Sequence, residues 1–322
     1  MDEVSPPEPP TSASPVTFSV SHDRDRARAE PQGPIAPAPL LLVLAALLFA
    51  AMAVVVRSAA AALPGPEVAF VRFCLGLLAC VVAATRIEMR AKNQLGLFLR
   101  GAYGGAAVLL YFLAIAHLPV GVATLLNYTA PVFTAIYAAI ILGEKVRPAA
   151  LAALAITTTG VVLVIKGTAP PGSAGFGLWQ MVGLGSAVLS GAAVAMIREV
   201  RKTDGSWEIF AAFCLGGALI TLVPTWKGWV SPTLSGWLTL GIVGAFSVAA
   251  QLLMTYALRF VRAAVAGIIA QLTPVAALAM GWLFLGEAVA ALALFGAGLT
   301  LVGVSWGAFL AATPEPAPVD ES

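Results

Sequence analysis

Ten apolar runs, each near the ~20 residues that cross ~30 Å of hydrocarbon, divide the chain between residues 39 and 311. They fall at roughly 39–57, 67–85, 99–117, 120–142, 149–166, 177–197, 208–226, 236–257, 264–285 and 289–311. Each predicts a membrane-spanning helix, and the connections between them leave no room for a soluble domain. The flanking segments differ. Residues 1–36 are rich in Pro, Ser and charge and predict a disordered cytosolic tail. Residues 312–322 form a short acidic tail, and the first apolar run begins too late for a signal peptide.

The apolar pattern is written twice. Pro131 recurs 143 residues later as Pro274, and Leu142-Gly143-Glu144 recurs as Leu285-Gly286-Glu287. At the same offset Gly160 matches Gly303, and Gly101-Ala102 matches Gly244-Ala245. Phe73-Cys74-Leu75-Gly76 returns as Phe213-Cys214-Leu215-Gly216 at a slightly shorter offset. Ordered matches of this kind mean an internal duplication, with repeats over 37–166 and 167–311. Five helices per repeat is an odd number, so the halves point in opposite directions. The expected fold class is therefore all-α integral membrane, with ten transmembrane helices as two inverted five-helix repeats. Such repeats point to a secondary transporter whose substrate site lies between them.

Composition agrees with the membrane reading. Sixty per cent of residues are hydrophobic, 11% are charged, and mean hydropathy is +0.93, too little charge to cover a soluble protein of this length. A net charge of +2 gives no reason to expect a nucleic-acid partner. Cys74, Cys80 and Cys214 all lie in apolar runs and read as small buried side chains. The distribution of basic residues is more informative. Fourteen Lys and Arg fall in the tail and even-numbered connections, against three (Arg57, Lys166, Lys227) on the other side. Both termini are therefore expected in the cytoplasm.

Candidate chemistry is sparse. No metalloprotease, nucleophile-elbow or phosphate-loop motif occurs, so neither an enzyme nor a cofactor or metal site is expected. His117, at the outer end of the third helix, reads as an interfacial side chain. The fourth helix carries Thr124, Asn127, Tyr128, Pro131, Thr134 and Tyr137 at three- and four-residue steps, which places them on one face. Pro131 cannot donate to the Asn127 carbonyl, and Pro274 does the same to Ala270 beside Gln271. Interhelical packing would explain such kinks, but their pairing between the halves favours cavity lining. Arg72 lies inside the second span, where a charge costs at least ~2.5 kcal/mol. It faces the interior or snorkels outward. Glu144 and Glu287 are expected to cap the helices that follow them. The candidate substrate-binding set is Arg72, Tyr111, Asn127, Tyr128, Gln251 and Gln271, with kinks at Pro131 and Pro274. With no Asp or Glu in the middle of a span, facilitated diffusion or exchange is expected rather than proton drive.

Two repeats each carrying Pro-x(10)-Leu-Gly-Glu resemble the drug/metabolite transporter superfamily, in particular its EamA-domain families. HLPVGVATLLNYTAPVFTAIYAAIILGEKV and its twin AVAGIIAQLTPVAALAMGWLFLGE carry that likeness, over residues ~40 to ~310. The resemblance implies alternating access around a cavity lined by helices one, three, four, six, eight and nine. Members of such families move amino acids, nucleotide-derived metabolites, sugars and drugs. A carrier for an amino acid or related metabolite in a bacterial inner membrane is the leading expectation, with lipid as its surroundings and a homodimer compatible with the fold. A multidrug efflux carrier, a passive channel and a non-transporting scaffold are the alternatives.

Overall fold

The computed structural model describes residues 38–87, 89–142, 148–168, 177–257 and 269–311. The N-terminal tail, the 312–322 tail, Glu144 with its turn, and the 258–268 connection lie outside the described residues. The described chain is helical, with no strand. Its elements are α1 (Ala38–Ala59), α2 (Gly65–Ala84), α3 (Gln94–His117), α4 (Val120–Asn127), α5 (Ala130–Leu142) and α6 (Pro148–Thr168). They continue as α7 (Leu178–Val200), α8 (Ser206–Lys227), α9 (Leu234–Ala257), α10 (Leu272–Leu285) and α11 (Ala291–Ala311). Six of them (α1, α2, α3, α7, α8 and α9) hold segments long and apolar enough to cross a membrane. Leu78, Val82, Leu219, Trp226, Leu283 and Phe295 leave large apolar side chains exposed, as lipid-facing surfaces do. This is a multi-pass membrane protein.

Local chemistry sets the helix ends. Pro64 and Pro66 open α2 with φ already fixed for a first turn. The Asn93 side chain caps α3 by accepting from the Gly96 amide at 2.9 Å. Gly286 closes α10 in the left-handed conformation, φ 64°, where a side chain would be strained. That turn sends the Glu287 amide back to the Gly281 carbonyl at 3.1 Å.

The fourth apolar run departs from expectation. It is two helices rather than one, because α4 stops at Asn127 and α5 starts at Ala130. Pro131 brings no N–H to the ladder, and the chain tightens around it. Thr129 donates to Leu126 at 3.2 Å and Val132 to Thr129 at 3.0 Å, both three-residue steps. The stripe from Thr124 to Tyr137 therefore does not share one continuous face. The second half breaks at the equivalent place: Gln271 precedes α10 just as Tyr128 precedes Pro131, three residues before each proline.

Repeat-equivalent helices make matching contacts. α3 packs on α7 as α9 packs on α1, α5 packs on α7 as α10 packs on α1, and α3 packs on α8 as α9 packs on α2. The equivalents α6 and α11 pack on each other, and so do α2 and α8. At the α3–α8 crossing, Gly101 and Gly105 meet Gly216 and Gly217 so closely that a methyl group on Gly101, Gly105 or Gly216 would collide with the facing backbone. Two carboxylates tie the halves reciprocally. Glu67, in the first turn of α2, accepts from the Val230 amide after α8 at 3.1 Å. Glu208, in the first turn of α8, accepts from the Arg90 amide after α2 at 3.1 Å. That reciprocity requires α2 and α8 to run antiparallel, as helices of an inverted repeat would.

Candidate functional site

The break after α4 opens onto a cavity of about 110 Å³. Asn127 and Tyr128 line it at the break, Arg72 from α2, and Val108, Tyr111 and Phe112 from α3. Phe49 and Met52 of α1 complete an apolar wall. The structure thus brings together four of the sequence-predicted residues: Arg72, Tyr111, Asn127 and Tyr128. Gln251, half-buried on α9, and Gln271, buried at the second break, do not line this cavity.

Each lining side chain is held by a partner. The Tyr111 hydroxyl lies 2.8 Å from Thr124 Oγ1, which also donates to the Val120 carbonyl at 2.7 Å. Asn127 donates its amide to Ser186 Oγ at 3.0 Å and Ser190 Oγ at 3.2 Å, both on α7. Tyr128 reaches Thr273 beside the second break. Arg72 is 7% exposed, which removes outward snorkelling. Its Nε donates to Ser247 Oγ of α9 at 2.5 Å, and its guanidinium lies over the Phe73, Phe112 and Phe213 rings. Its Nη1 has no partner.

Helices one to four form the lining, whereas the resemblance implied helices one, three, four, six, eight and nine. Helices six, eight and nine contribute indirectly, through Ser186 and Ser190, Ser247, and Thr273. The sequence reading missed these hydroxyls because single Ser and Thr residues in apolar helices look like packing. The four-residue spacing of Ser186 and Ser190 was the available signal. The fourteen basic residues assigned to the tail and connections included Arg100 in the second connection, but α3 begins at Gln94 and buries Arg100 to 9% exposure.

One end of the bundle is pinned nearby. Arg57 Nε pairs with Glu287 Oε1 at 2.7 Å, and Arg57 Nη1 donates to the Ala116 carbonyl at 2.7 Å. Glu287 Oε2 accepts from the Val120 amide at 2.7 Å, so this carboxylate caps α4 rather than the helix that follows it. His117, at the same end of α3, is exposed and stacks on Trp179 with ring centroids 3.4 Å apart. A larger hollow of about 260 Å³, between Ser58, Leu63 and the 230–239 segment, contains none of the predicted residues.

A membrane bundle with paired helix breaks, and a cavity into which a few buried polar side chains project, defines a solute-transporter architecture. The chain belongs to the EamA-like transporter family, whose pattern matches residues 36–166 and again 177–307. It is similar to the "Pseudopaline exporter CntI" of Pseudomonas aeruginosa (strain UCBPP-PA14), at 29% identity over 266 residues, covering 82% of this chain and 93% of that protein. It is similar to a "Probable terminal-alkyne amino-acid exporter" of Streptantibioticus cattleyicolor, at 29% identity over 248 residues, covering 72% and 80%. A solved crystal structure shares the fold with a TM-score of 0.58 at 22% identity, over 85% of this chain and 97% of its own.

Proposed function

We propose that this protein is an alternating-access exporter of a small carboxylated solute of amino-acid type. It crosses a bacterial cytoplasmic membrane ten times and keeps both termini inside. The observation that carries the reading is Arg72: a buried guanidinium with an unpartnered nitrogen on the wall of a largely apolar cavity. A guanidinium is always charged and presents a planar fork that fits a carboxylate. No ion pair among the described residues satisfies it. A carboxylate of the solute would supply the missing counter-charge, with Tyr111, Asn127 and Tyr128 as polar contacts beside it.

Two relatives named as exporters support outward transport, and one of those names specifies an amino acid. The cavity size favours a small solute over a multidrug substrate. About 110 Å³ is well below the ~300–1,000 Å³ of drug-sized sites. The Arg57–Glu287 pair favours a carrier over an open channel, because it ties α1, α3, α4 and the α10 turn together at one end. Alternating access requires that tie to open once per cycle. Counterflow in proteoliposomes tests the reading: a carrier saturates and accelerates exchange, whereas a pore shows linear flux. Arg72→Ala should remove the saturable component for carboxylated solutes; unchanged flux would reject the assignment.

A further inference from the structure

Arg100 is the buried charge that the cavity does not use in this conformation. It is the seventh residue of α3, its Nε and Nη1 have no partner, and its guanidinium lies over the Phe213 ring at 4.4 Å. Arg72 lies over the same ring at 5.6 Å. The two guanidiniums come from different helices, both more than nine-tenths buried, and are close enough for their charges to repel. Among the described residues no carboxylate pairs with either. Three guanidinium nitrogens without hydrogen-bond partners thus lie around one aromatic ring. Burying two like charges without a counter-ion opposes folding, and an apolar side chain at either position would pack at lower cost.

We propose that Arg72 and Arg100, whose guanidiniums share the Phe213 ring, form one recognition element for a solute bearing two carboxylates. This deepens the reading of the Arg72 cavity as the solute site and rests on it. One carboxylate would meet Arg72 on the cavity wall, and the second would meet Arg100. An Asn or Gln in place of the solute's second acid would leave Arg100 unpaired, so the pair discriminates diacids from monoacids. A monoanion neutralises one of the two cations and a dianion neutralises both, which makes binding depend on charge number rather than on size alone.

The test uses the full purified chain in a neutral detergent, with malonate and acetate as probes at matched ionic strength, read by thermal unfolding. Malonate should raise the unfolding temperature saturably, at a concentration at least tenfold lower than acetate requires. Arg100→Met should reduce malonate to the acetate level while keeping the acetate response, and Arg72→Met should abolish both. Without ligand, Arg100→Met should unfold at the wild-type temperature or above it, because it removes an unpaired buried charge. A structural arginine would give the opposite shift. Malonate no better than acetate in the wild type, or unaltered in Arg100→Met, would overturn the pairing and leave the Arg72 cavity standing. Stabilisation by an anionic phospholipid with none by malonate would also overturn it. Loss of the acetate response in the wild type would instead count against the cavity itself.

Discussion

The two helix breaks are built alike and furnished differently. Each lies three residues ahead of a proline, at Tyr128 and at Gln271, and each interrupts a helix that packs against α1 or α7 of the opposite half. At the first break, Asn127 and Tyr128 face a cavity that also holds a cation. At the second, Gln271 is 7% exposed and outside that cavity, while its neighbour Thr273 serves as a partner for Tyr128. Duplication supplied the scaffold twice, and divergence of side chains left the lining of this cavity in one half. Arg72 makes the same point, since its counterpart in the second repeat is Ala212.

The largest test of that asymmetry is Arg72→Ala. It should lower transport of carboxylated solutes about 100-fold, the scale on which truncating a buried charge partner acts, with neutral solutes spared and expression retained. Next, Asn127→Ala should cost about tenfold, since it removes neutral hydrogen bonds of about 1 kcal/mol, whereas Gln271→Ala should change transport less than twofold and act on thermal stability instead. Equal transport losses in these two variants would restore a symmetric site.

How much of this was legible in the sequence follows from the kind of signal involved. The repeat and both prolines could be read because ordered sequence matches and the missing N–H of proline fix them. The split of the 120–142 run was not drawn, because apolar residues resume directly after Thr129 and hide the interruption. Arg72, Tyr111, Asn127 and Tyr128 stood out as polar groups within apolar helices. Ser186, Ser190, Ser247 and Thr273 did not, since their role comes only from which helices are neighbours. Arg100 was misplaced because charge at the edge of an apolar run reads as loop until the helix start is known. Glu287 was recognised as a cap, but its target α4 lies 167 residues away in sequence.

A smaller effect is expected at the pinned end. Glu287→Gln removes a partly exposed ion pair worth about 1 kcal/mol and weakens the cap on α4. It should shift the resting population toward the state open at that end, read as faster modification of a cysteine placed at Ser58. Equal modification rates would show that the pair does not hold that end closed.

The smallest effect lies outside the spans. Asp204 accepts from the Lys92 and Asn93 amides at 2.6 and 3.0 Å and from the Thr203 hydroxyl. Burial pushes its carboxyl up, but these hydrogen bonds outweigh it and hold the group below the usual carboxylate range. Its contribution to stability is therefore present above the unfolded value of about 3.9 and is lost as pH falls through the lower native value. Asp204→Asn should flatten the acid limb of the stability profile and lower stability at neutral pH, where the ionised carboxylate contributes. An unchanged acid limb would remove this anchor from the account.

The central claim is that Arg72 selects a carboxylated solute for export. Untargeted mass spectrometry of the medium from cells producing the wild type, Arg72→Ala or no protein tests it most directly. The account predicts a small set of compounds enriched outside wild-type cells, each carrying at least one carboxylate, and their absence with Arg72→Ala at equal protein abundance. Enriched compounds without an anionic group, or the same enrichment with Arg72→Ala, would contradict it.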